Sequence, residues 1–246
     1  MKTDWDYSHC ASTYDKRADY SESGIDQLCN ELGCSPNHRV ADIGAGTGKL
    51  TIPLCNRQLL VDCVEPNKIM REIGIKNTKG HNVIWHEGTG ENTGLIKASV
   101  NHVFFGSSFS VMNQPNALRE SKEILVTGGG FACLWNHRDL NDPVQSEIEN
   151  IIKFHIPDYN YGNRRLDPTD IINKSRLFGK VFNIESNFIT TMKTVDIIDA
   201  WRSHNTLYRQ SNGQFEKIIS EIKSILSEIS YEVPYTTRIW YTRLIL

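Results

Sequence analysis

Hydrophobic and polar positions in the first half of the chain follow two alternating patterns, one typical of helices and one typical of buried strands. Helical spacing of Ile25, Leu28, Cys29 and Leu32 predicts a short amphipathic helix ending at Gly33. Short apolar runs bounded by turn residues predict strands at 38–44, 59–66, 82–88, 100–106 and 131–135. Helical patterns between them cover 49–59, 68–75 and 117–126, and Gly128 to Gly130 predict a turn. This alternation favours a doubly wound α/β fold with a mostly parallel sheet.

The second half of the chain is less regular and its pattern is mainly helical. Helices are predicted over 143–156 and 168–180, with a polar loop between them. Isoleucines within 212–229 trace one helical face. We expect that face to pack against the sheet, although a subunit interface has the same pattern. The β-branched and aromatic segment 231–246 predicts a final strand or hairpin.

These patterns predict a single domain over residues 1–246. Its core is expected to comprise 25–138 and 211–246, and residues 1–24 and 139–210 are expected to form a helical cap. Such a cap covers the carboxyl ends of the strands, where open α/β sheets bind ligands. We therefore expect the chemistry at that edge of the sheet.

The strongest candidate for a binding site is the glycine-rich turn after the first predicted strand, with the sequence DIGAGTG from Asp42 to Gly48. Glycines let the backbone approach a ligand closely and turn its amides toward it. A phosphate-binding loop requires a longer interval between glycines and a hydroxyl residue where Leu50 stands. A dinucleotide-binding turn requires its third glycine one position later, so an oxidoreductase is only weakly supported.

The same turn resembles motif I of the class I S-adenosylmethionine-dependent methyltransferases. Glu65 ends the second predicted strand, where that family has an acid that binds both ribose hydroxyls of the cofactor. A carboxylate offers two acceptor oxygens for that task. The resemblance implies S-adenosylmethionine as cofactor and a seven-stranded Rossmann-like sheet. It also implies a cofactor site that includes Asp42, Gly44, Ala45, Gly46, Glu65 and Pro66. The alternative for Asp42 is a turn-capping role without ligand contact.

Later segments are similar to the small-molecule branch of this family, which includes the trans-aconitate and type-11 methyltransferases. Residues 86–95 are similar to the segment that holds the adenine, with Thr89 and Gly90 where Asp and Ala are usual. Residues 100–109 match the fourth strand and its loop, and Ser107 is expected in the cofactor site.

An N-terminal stretch also resembles this branch. Tyr14 and Arg17 stand in a segment that, by this resemblance, folds over the methionyl end of the cofactor. Arg17 or Arg202 is an alternative holder of an anionic substrate, since guanidinium groups match carboxylates in shape and charge. Simple packing is the alternative role for Tyr14.

Composition narrows the range of expected partners, compartments and metals. The chain has 27 Lys plus Arg against 29 Asp plus Glu, a net charge of −2, so we expect no nucleic acid partner. No apolar run approaches the ~20 residues that cross a bilayer, and the N-terminus does not resemble a signal peptide. Six cysteines without a CxxC pair favour free thiols in the cytoplasm. The eight histidines show no metal-ligand spacing, so no metal is expected.

The predicted reaction is methyl transfer to an oxygen or nitrogen of a small molecule. His137 follows the fifth predicted strand and is the candidate general base, since its pKa is ordinarily near neutral. A solvated loop histidine is the alternative for His137 and likewise for His204 in the cap. An RNA or protein methyltransferase, or a non-catalytic protein that binds S-adenosylmethionine, remains an alternative function. No pattern indicates the oligomeric state.

Overall fold

One seven-stranded sheet organises the chain, of which the computed structural model describes residues 7–245, apart from the side chains of His9, Asn163 and Arg164. The strands are β1 (Arg39–Ile43), β2 (Leu60–Val64), β3 (Val83–His86), β4 (Val100–Gly106), β5 (Leu125–Arg138), β6 (Phe182–Lys193) and β7 (Ser230–Arg243). Their order is β3-β2-β1-β4-β5-β7-β6. The first five strands are parallel, and β7 is antiparallel to both β5 and β6. The predicted α/β fold is therefore confirmed.

Ten α-helices occur in the described part of the chain. They are α1 (Ala11–Tyr14), α2 (Glu22–Glu31), α3 (Thr51–Asn56), α4 (Lys68–Asn77), α5 (Gln114–Ile124), α6 (Pro143–His155), α7 (Thr169–Ser175), α8 (Thr194–Arg202), α9 (Asn205–Gln210) and α10 (Phe215–Ile225). Short 3₁₀ turns cover Ser8–Cys10, Phe109–Val111 and Gly162–Arg165. None of the helices within residues 7–245 is long and apolar enough to cross a membrane.

The central strands β1, β2 and β4 are buried on both faces, because helices cover both sides to which their successive side chains point. Val40 packs in a core with α2 and α3, whereas the adjacent Ala41 packs in a second core with α5 and α7. Phe104 and Phe105 of β4 divide between the two cores in the same way. This double burial fixes the register of the parallel strands and hence the edge at which they end.

Capping side chains determine where three of the helices begin. Asn67 accepts hydrogen bonds from the amides of the first turn of α4, at 3.0 and 3.1 Å. Asn113 caps α5 at 3.2 Å, and Asp142 caps α6 at 2.9 Å. A side-chain oxygen at this position satisfies amides that have no partner within the helix. The helices after β2, β4 and β5 therefore start close to the strand ends.

A third core lies between the cap and the antiparallel strands. Ile218, Ile219 and Ile222 of α10 pack there with α6 and α8, and Met192 of β6 and Val233 of β7 belong to the same core. The face expected to pack against the sheet is therefore buried mainly by helices and in part by the sheet. The segment 182–193, expected within the helical cap, forms β6 of the sheet. From Ile184 to Met192 the even-numbered residues of β6 are buried or half-buried and the odd-numbered residues are exposed, but only these two are fully buried, so the strand lies at the margin of the core. Tertiary pairing with β7 decides its conformation.

Two boundaries also differ from the sequence-based prediction. The turn predicted at Gly128 to Gly130 lies inside β5, as an irregularity of the β4–β5 pairing. Val100 pairs with Leu125, but His102 pairs with Gly130. The helix predicted over 168–180 ends at Ser175, because Arg176 has the left-handed φ of 57°.

Candidate active site

The glycine turn crosses the carboxyl end of the sheet between β1 and α3. Gly44 and Gly46 have φ angles of 69° and 57°, a region that side-chain-bearing residues rarely adopt. A Cβ on Gly44 would lie 2.6 Å from Cβ of Ser108. The amides of Gly44 and Ala45 donate to the carbonyl of Val64 at 2.8 and 3.1 Å. The turn is therefore held against the end of β2 and has no room for larger residues at Gly44.

Glu65 connects the end of β2 to this turn. Its Oε2 accepts a hydrogen bond from the Gly46 amide at 2.9 Å, and its Oε1 accepts one from the Asn67 amide at 2.8 Å. Burial raises the pKa of the Glu65 carboxyl, and the two amide donors oppose that rise. Each oxygen keeps a further acceptor site, so the carboxylate can bind two hydroxyls of a ligand while it holds the turn.

Asp42 lies beneath the turn at the end of β1. Its Oδ2 accepts a hydrogen bond from the Thr51 hydroxyl at 2.7 Å. Its Oδ1 is buried and has no hydrogen-bond partner among the described residues. Burial raises the pKa of Asp42 to about 7. An acceptor oxygen in this state suits a cationic ligand group, since a nearby positive charge stabilises the ionised carboxylate.

Two connected cavities open at this edge of the sheet. The turn cavity, of about 550 Å³, is lined by Gly44, Gly46, Glu65, Pro66, Thr89, Gly90, Met112 and their neighbours. The cap cavity, of about 180 Å³, lies beneath the cap. Tyr14, Gly44, Gly46, Gly106 and Ser107 line both. The two spaces therefore meet at the glycine turn and the end of β4.

The presence of glycine at position 90, where Ala is usual, has a steric explanation in this chain. A Cβ at this position would lie 2.1 Å from Sδ of Met112, and a Cβ on Gly44 would lie 3.0 Å from the methyl group of Met112. The Met112 side chain thus spans the wall of the turn cavity between the two glycines. Thr89 is fixed beside it by backbone hydrogen bonds with Asn92, at 3.0 and 3.2 Å.

The N-terminal segment bridges the core and the cap. Asn67 donates to the Ser8 hydroxyl at 2.8 Å, and Lys16 pairs with Asp196 of α8 at 2.8 Å. The guanidinium of Arg17 donates to the Ser203 hydroxyl at 2.7 Å and to its carbonyl. It also lies 4.3 Å from the centre of the Tyr14 ring. These contacts place Tyr14 and Arg17 at the junction of the core and the cap.

Ser107 and Tyr20 form a buried hydroxyl pair where the cavities meet. Their oxygens are 2.9 Å apart, and Ser107 has a φ of 59°. Burial raises the pKa of Tyr20, so its hydroxyl stays protonated. The pair offers a neutral donor and acceptor beside the glycine turn.

Arg138 is a cavity residue that the sequence interpretation did not select. It ends β5, and its guanidinium lies 3.3 Å from Glu149 and from Gln145 of α6. The same group lies 4.3 Å from the Trp201 ring of α8. Burial lowers the pKa of Arg138, although an arginine remains cationic. No local motif marks this position, because its partners come from two separate helices, α6 and α8.

The cap cavity has an excess of cationic side chains. Arg17, Lys49, Arg138 and Arg165 line it, and Asp42 is the one acid among its described lining residues. Lys49 is paired with Asp19 at 2.6 Å. Arg165 lies 3.5 Å from the centre of the Tyr161 ring and makes no ion pair within the described part of the chain. The indole N–H of Trp135 is buried and has no partner there.

The fold brings most of the predicted site residues to the two cavities. Tyr14, Gly44, Gly46, Glu65, Pro66, Thr89, Gly90 and Ser107 line the turn cavity. Arg17, Asp42, Ala45 and His137 line the cap cavity, as does His204, which stacks on Trp201 at 4.5 Å. Arg202 lines neither and pairs with Glu216 at 3.4 Å. No group of three potential metal ligands occurs within the described residues.

The residues of the turn cavity fit S-adenosylmethionine. Glu65 supplies two acceptor oxygens, and the glycines leave space that a Cβ would fill. Asp42, which lines the adjoining cap cavity, has a buried oxygen without a hydrogen-bond partner among the described residues. The ribose hydroxyls of a nucleoside can donate hydrogen bonds to such acceptor oxygens, and a sulfonium or amino group is attracted to a carboxylate. The individual assignments stay predictions.

Comparison with known proteins finds similarity to methyltransferases. Residues 40–129 match a family described as "Methyltransferase domain". The chain is 32% identical over 123 residues to an uncharacterized methyltransferase of Mycobacterium tuberculosis, an alignment that covers 50% of this chain and 48% of that protein. The chain thus spans about half the length of this relative. It is 24% identical over 219 residues to an uncharacterized methyltransferase of Schizosaccharomyces pombe, covering 87% of this chain and 83% of that one.

A solved structure shares the fold. It is that of the Haemonchus contortus phosphoethanolamine N-methyltransferase 2 in complex with S-adenosyl-L-methionine. The TM-score is 0.57 at 13% identity, over 96% of this chain and 57% of that one. Residues 40–129 are thus similar to a methyltransferase domain, and the chain has the α/β fold of the class I methyltransferases, whose cofactor is S-adenosylmethionine.

Proposed function

We propose that this chain binds S-adenosylmethionine in the turn cavity and transfers its methyl group to an oxygen or nitrogen of a small molecule in the cap cavity. The observation that carries the proposal is the connection of the two cavities at Gly44, Gly46 and Ser107. A donor and an acceptor held in two adjoining spaces can meet at one point. Bound there, the cofactor supplies an electrophilic methyl group on a sulfonium.

We propose that Glu65 holds the ribose hydroxyls and that Asp42 or Arg17 orients the methionyl end. The buried, unpaired Oδ1 of Asp42 supports a cationic neighbour at that position. Met112, Pro66 and Gly90 form a mainly apolar wall suited to a flat base. Each of these residues acts by binding, and none needs to exchange a proton with the reacting groups.

The cap contributes by orienting the acceptor and excluding water. Orientation alone can supply ~7–11 kcal/mol of the barrier for a reaction between two bound groups. Trp201 and Tyr161 place aromatic surface against the guanidiniums of Arg138 and Arg165, which stiffens this wall. A space of about 180 Å³ beneath the cap favours a small acceptor over a polymer.

The charge of the cap cavity supports an acceptor that carries an anionic oxygen group. Arg165 has no ion-pair partner among the described residues, and the Trp135 indole is an unused donor. A carboxylate or phosphate would satisfy both, because it accepts several hydrogen bonds and neutralises the guanidinium. His137 lies on the same cavity wall and is proposed to take the proton from an acceptor hydroxyl.

We also propose that the protein works in the cytoplasm. All six cysteines lie within the described residues and are thiols rather than disulfides, and four of them are buried. Free thiols persist in a reducing compartment.

The proposal is tested by calorimetric titration with S-adenosylhomocysteine, S-adenosylmethionine and NADH, followed by an acceptor screen. We expect saturable binding of the first two and none of NADH. Formation of S-adenosylhomocysteine is then measured with small acceptors that differ only in the presence of a carboxylate or phosphate. Binding without turnover on any acceptor would favour a non-catalytic protein, and binding of NADH alone would contradict the assigned cofactor.

A further inference from the structure

The outer edge of β6 is a free sheet edge. β6 is the last strand in the sheet order, and it pairs with β7 along all twelve of its residues. Within residues 7–245 no other strand adjoins it. A strand at an edge presents unpaired amides and carbonyls along its outer side, which can pair with a strand of another chain.

This edge lacks most of the features that usually prevent such pairing. β6 contains neither proline nor glycine, and its register with β7 is continuous. Its odd-numbered residues, 183 to 193, are all exposed, and Ile189 among them is 65% exposed. A long, regular edge strand with an exposed β-branched residue is a good template for another strand.

The two charges of β6 are arranged for pairing with an identical strand. Glu185 and Lys193 are the only charged residues of the strand, and they lie on the same exposed face. In an antiparallel pair centred on Ile189, Glu185 stands opposite Lys193 of the second strand, and Lys193 stands opposite Glu185. Ile189 meets its own copy, and Asn187 meets Thr191. Any other centre separates the two charges, so the complementarity selects one register.

We propose that β6 pairs with β6 of a second copy of this chain, antiparallel about a two-fold axis at Ile189, so that the two sheets become continuous. The contact is isologous, because the same residues of both copies form it. Val195 and Ile229 lie beside the Lys193 end and are strongly exposed, which extends the apolar surface there. No residue of β6 lines either cavity, so both sites stay open in the pair.

The charges allow a test by exchange. Lys193→Glu places like charges opposite each other twice in the pair, and Glu185→Lys does the same with the other sign. Each homodimer should weaken about tenfold or more, since opposite pairs become repulsive ones. An equimolar mixture of the two variants restores both attractive pairs in a mixed dimer. Sedimentation velocity of the full chain at low salt, over a range of concentrations, measures each equilibrium.

Two controls separate the interface from folding. Lys193 makes no ion pair among the described residues, whereas Glu185 pairs with Arg238 at 2.9 Å, so Lys193→Glu is the cleaner variant. Lys217→Glu changes an exposed charge on α10 and should leave dimerisation unchanged. Circular dichroism checks that every variant is folded.

The expected result is a salt-sensitive dimer that Lys193→Glu weakens and the mixture restores. A wild-type chain that stays monomeric at high concentration and low salt overturns the proposal. So does a dimer that all variants leave intact, because another surface would then form it. Higher assemblies that grow without limit would point to a non-symmetric contact and would also contradict it.

Discussion

The carboxylate of Glu65 accepts a hydrogen bond from the amide of Gly46 at 2.9 Å, across 19 residues of sequence. Its other oxygen accepts one from Asn67 at 2.8 Å. The acid expected to bind the cofactor ribose therefore also holds the turn on which the cofactor would lie. Its removal should affect the protein even without a ligand.

Replacing Glu65 separates these two roles. Glu65→Ala should lower the affinity for S-adenosylhomocysteine at least tenfold and also lower the free energy of unfolding. The buried Gly46 amide loses its partner at a cost of about 1–3 kcal/mol, and the half-buried Asn67 amide loses its partner as well. Glu65→Gln keeps one acceptor oxygen and should lose less stability while still binding weakly. Calorimetry and denaturant titration measure both, and unchanged affinity in Glu65→Ala would exclude the ribose assignment.

Asp42 should make the stability depend on pH. Its pKa of about 7 in the folded state lies above the ordinary value of 3.8, so folding favours the protonated carboxyl. Its stabilising contribution is therefore complete below about pH 4 and is lost as the pH rises through about 7.

The variant Asp42→Asn cannot ionise and should not show this loss. The melting temperature of the variant minus that of the wild type should be a few degrees larger at about pH 8 than at about pH 5. Its affinity for S-adenosylhomocysteine should fall, because the carboxylate charge is removed. A difference between variant and wild type that is independent of pH would contradict the buried, titrating carboxyl.

Gly74 should not tolerate alanine, although it lies inside α4. Alanine ordinarily gains about 1 kcal/mol over glycine in a helix. Here a Cβ would lie 2.1 Å from the Trp85 ring, which is held by a 3.0 Å hydrogen bond to Thr78. We expect Gly74→Ala to lower the free energy of unfolding by about 1–3 kcal/mol through overpacking. Denaturant titration measures this change.

The matched control for Gly74 is Lys76→Ala, which lies exposed in the same helix and should be nearly neutral. Adding Trp85→Leu should relieve the clash, so that the double variant loses less than the sum of the single changes. Additive losses would mean that the ring does not oppose the added methyl group.

Arg165 should govern the binding of an anionic acceptor. Arg165→Ala should raise KM for such an acceptor about tenfold or more, since charge-assisted hydrogen bonds contribute about 1.5–3 kcal/mol. The fold should be unaffected, because Arg165 makes no ion pair among the described residues. Arg119→Ala, on the exposed side of α5, is the matched control. Equal KM values for wild type and Arg165→Ala would remove this residue from the acceptor site.

His137 is tested with an acceptor hydroxyl. His137→Ala should reduce kcat roughly 10²–10⁴-fold if the imidazole takes the hydroxyl proton. The affinity for S-adenosylhomocysteine should stay near that of the wild type, because His137 lines the cap cavity and not the turn cavity. Turnover at the wild-type rate would exclude a role in proton transfer.

Local patterns predicted the elements whose conformation depends on nearby residues. The strands β1 to β4 and the helices that follow β2 and β4 were found close to their predicted positions. The failures share one cause. The edge strand β6 is only half-buried along most of its inner face, and the isoleucine face of α10 shows that it is buried without showing by what. Periodicity reports burial, whereas the partner comes from the topology.

The sequence by itself determined the alternation of strands and helices, the glycine turn and the acid after β2, because each depends on short-range spacing. Only the tertiary structure determined which residues meet at the cap cavity. Arg138 meets Glu149 and Trp201 there, and Arg17 reaches Ser203, which lies 186 residues away. Such contacts leave no periodic or local signal, since they arise where distant elements are packed together by cores that the chain forms elsewhere.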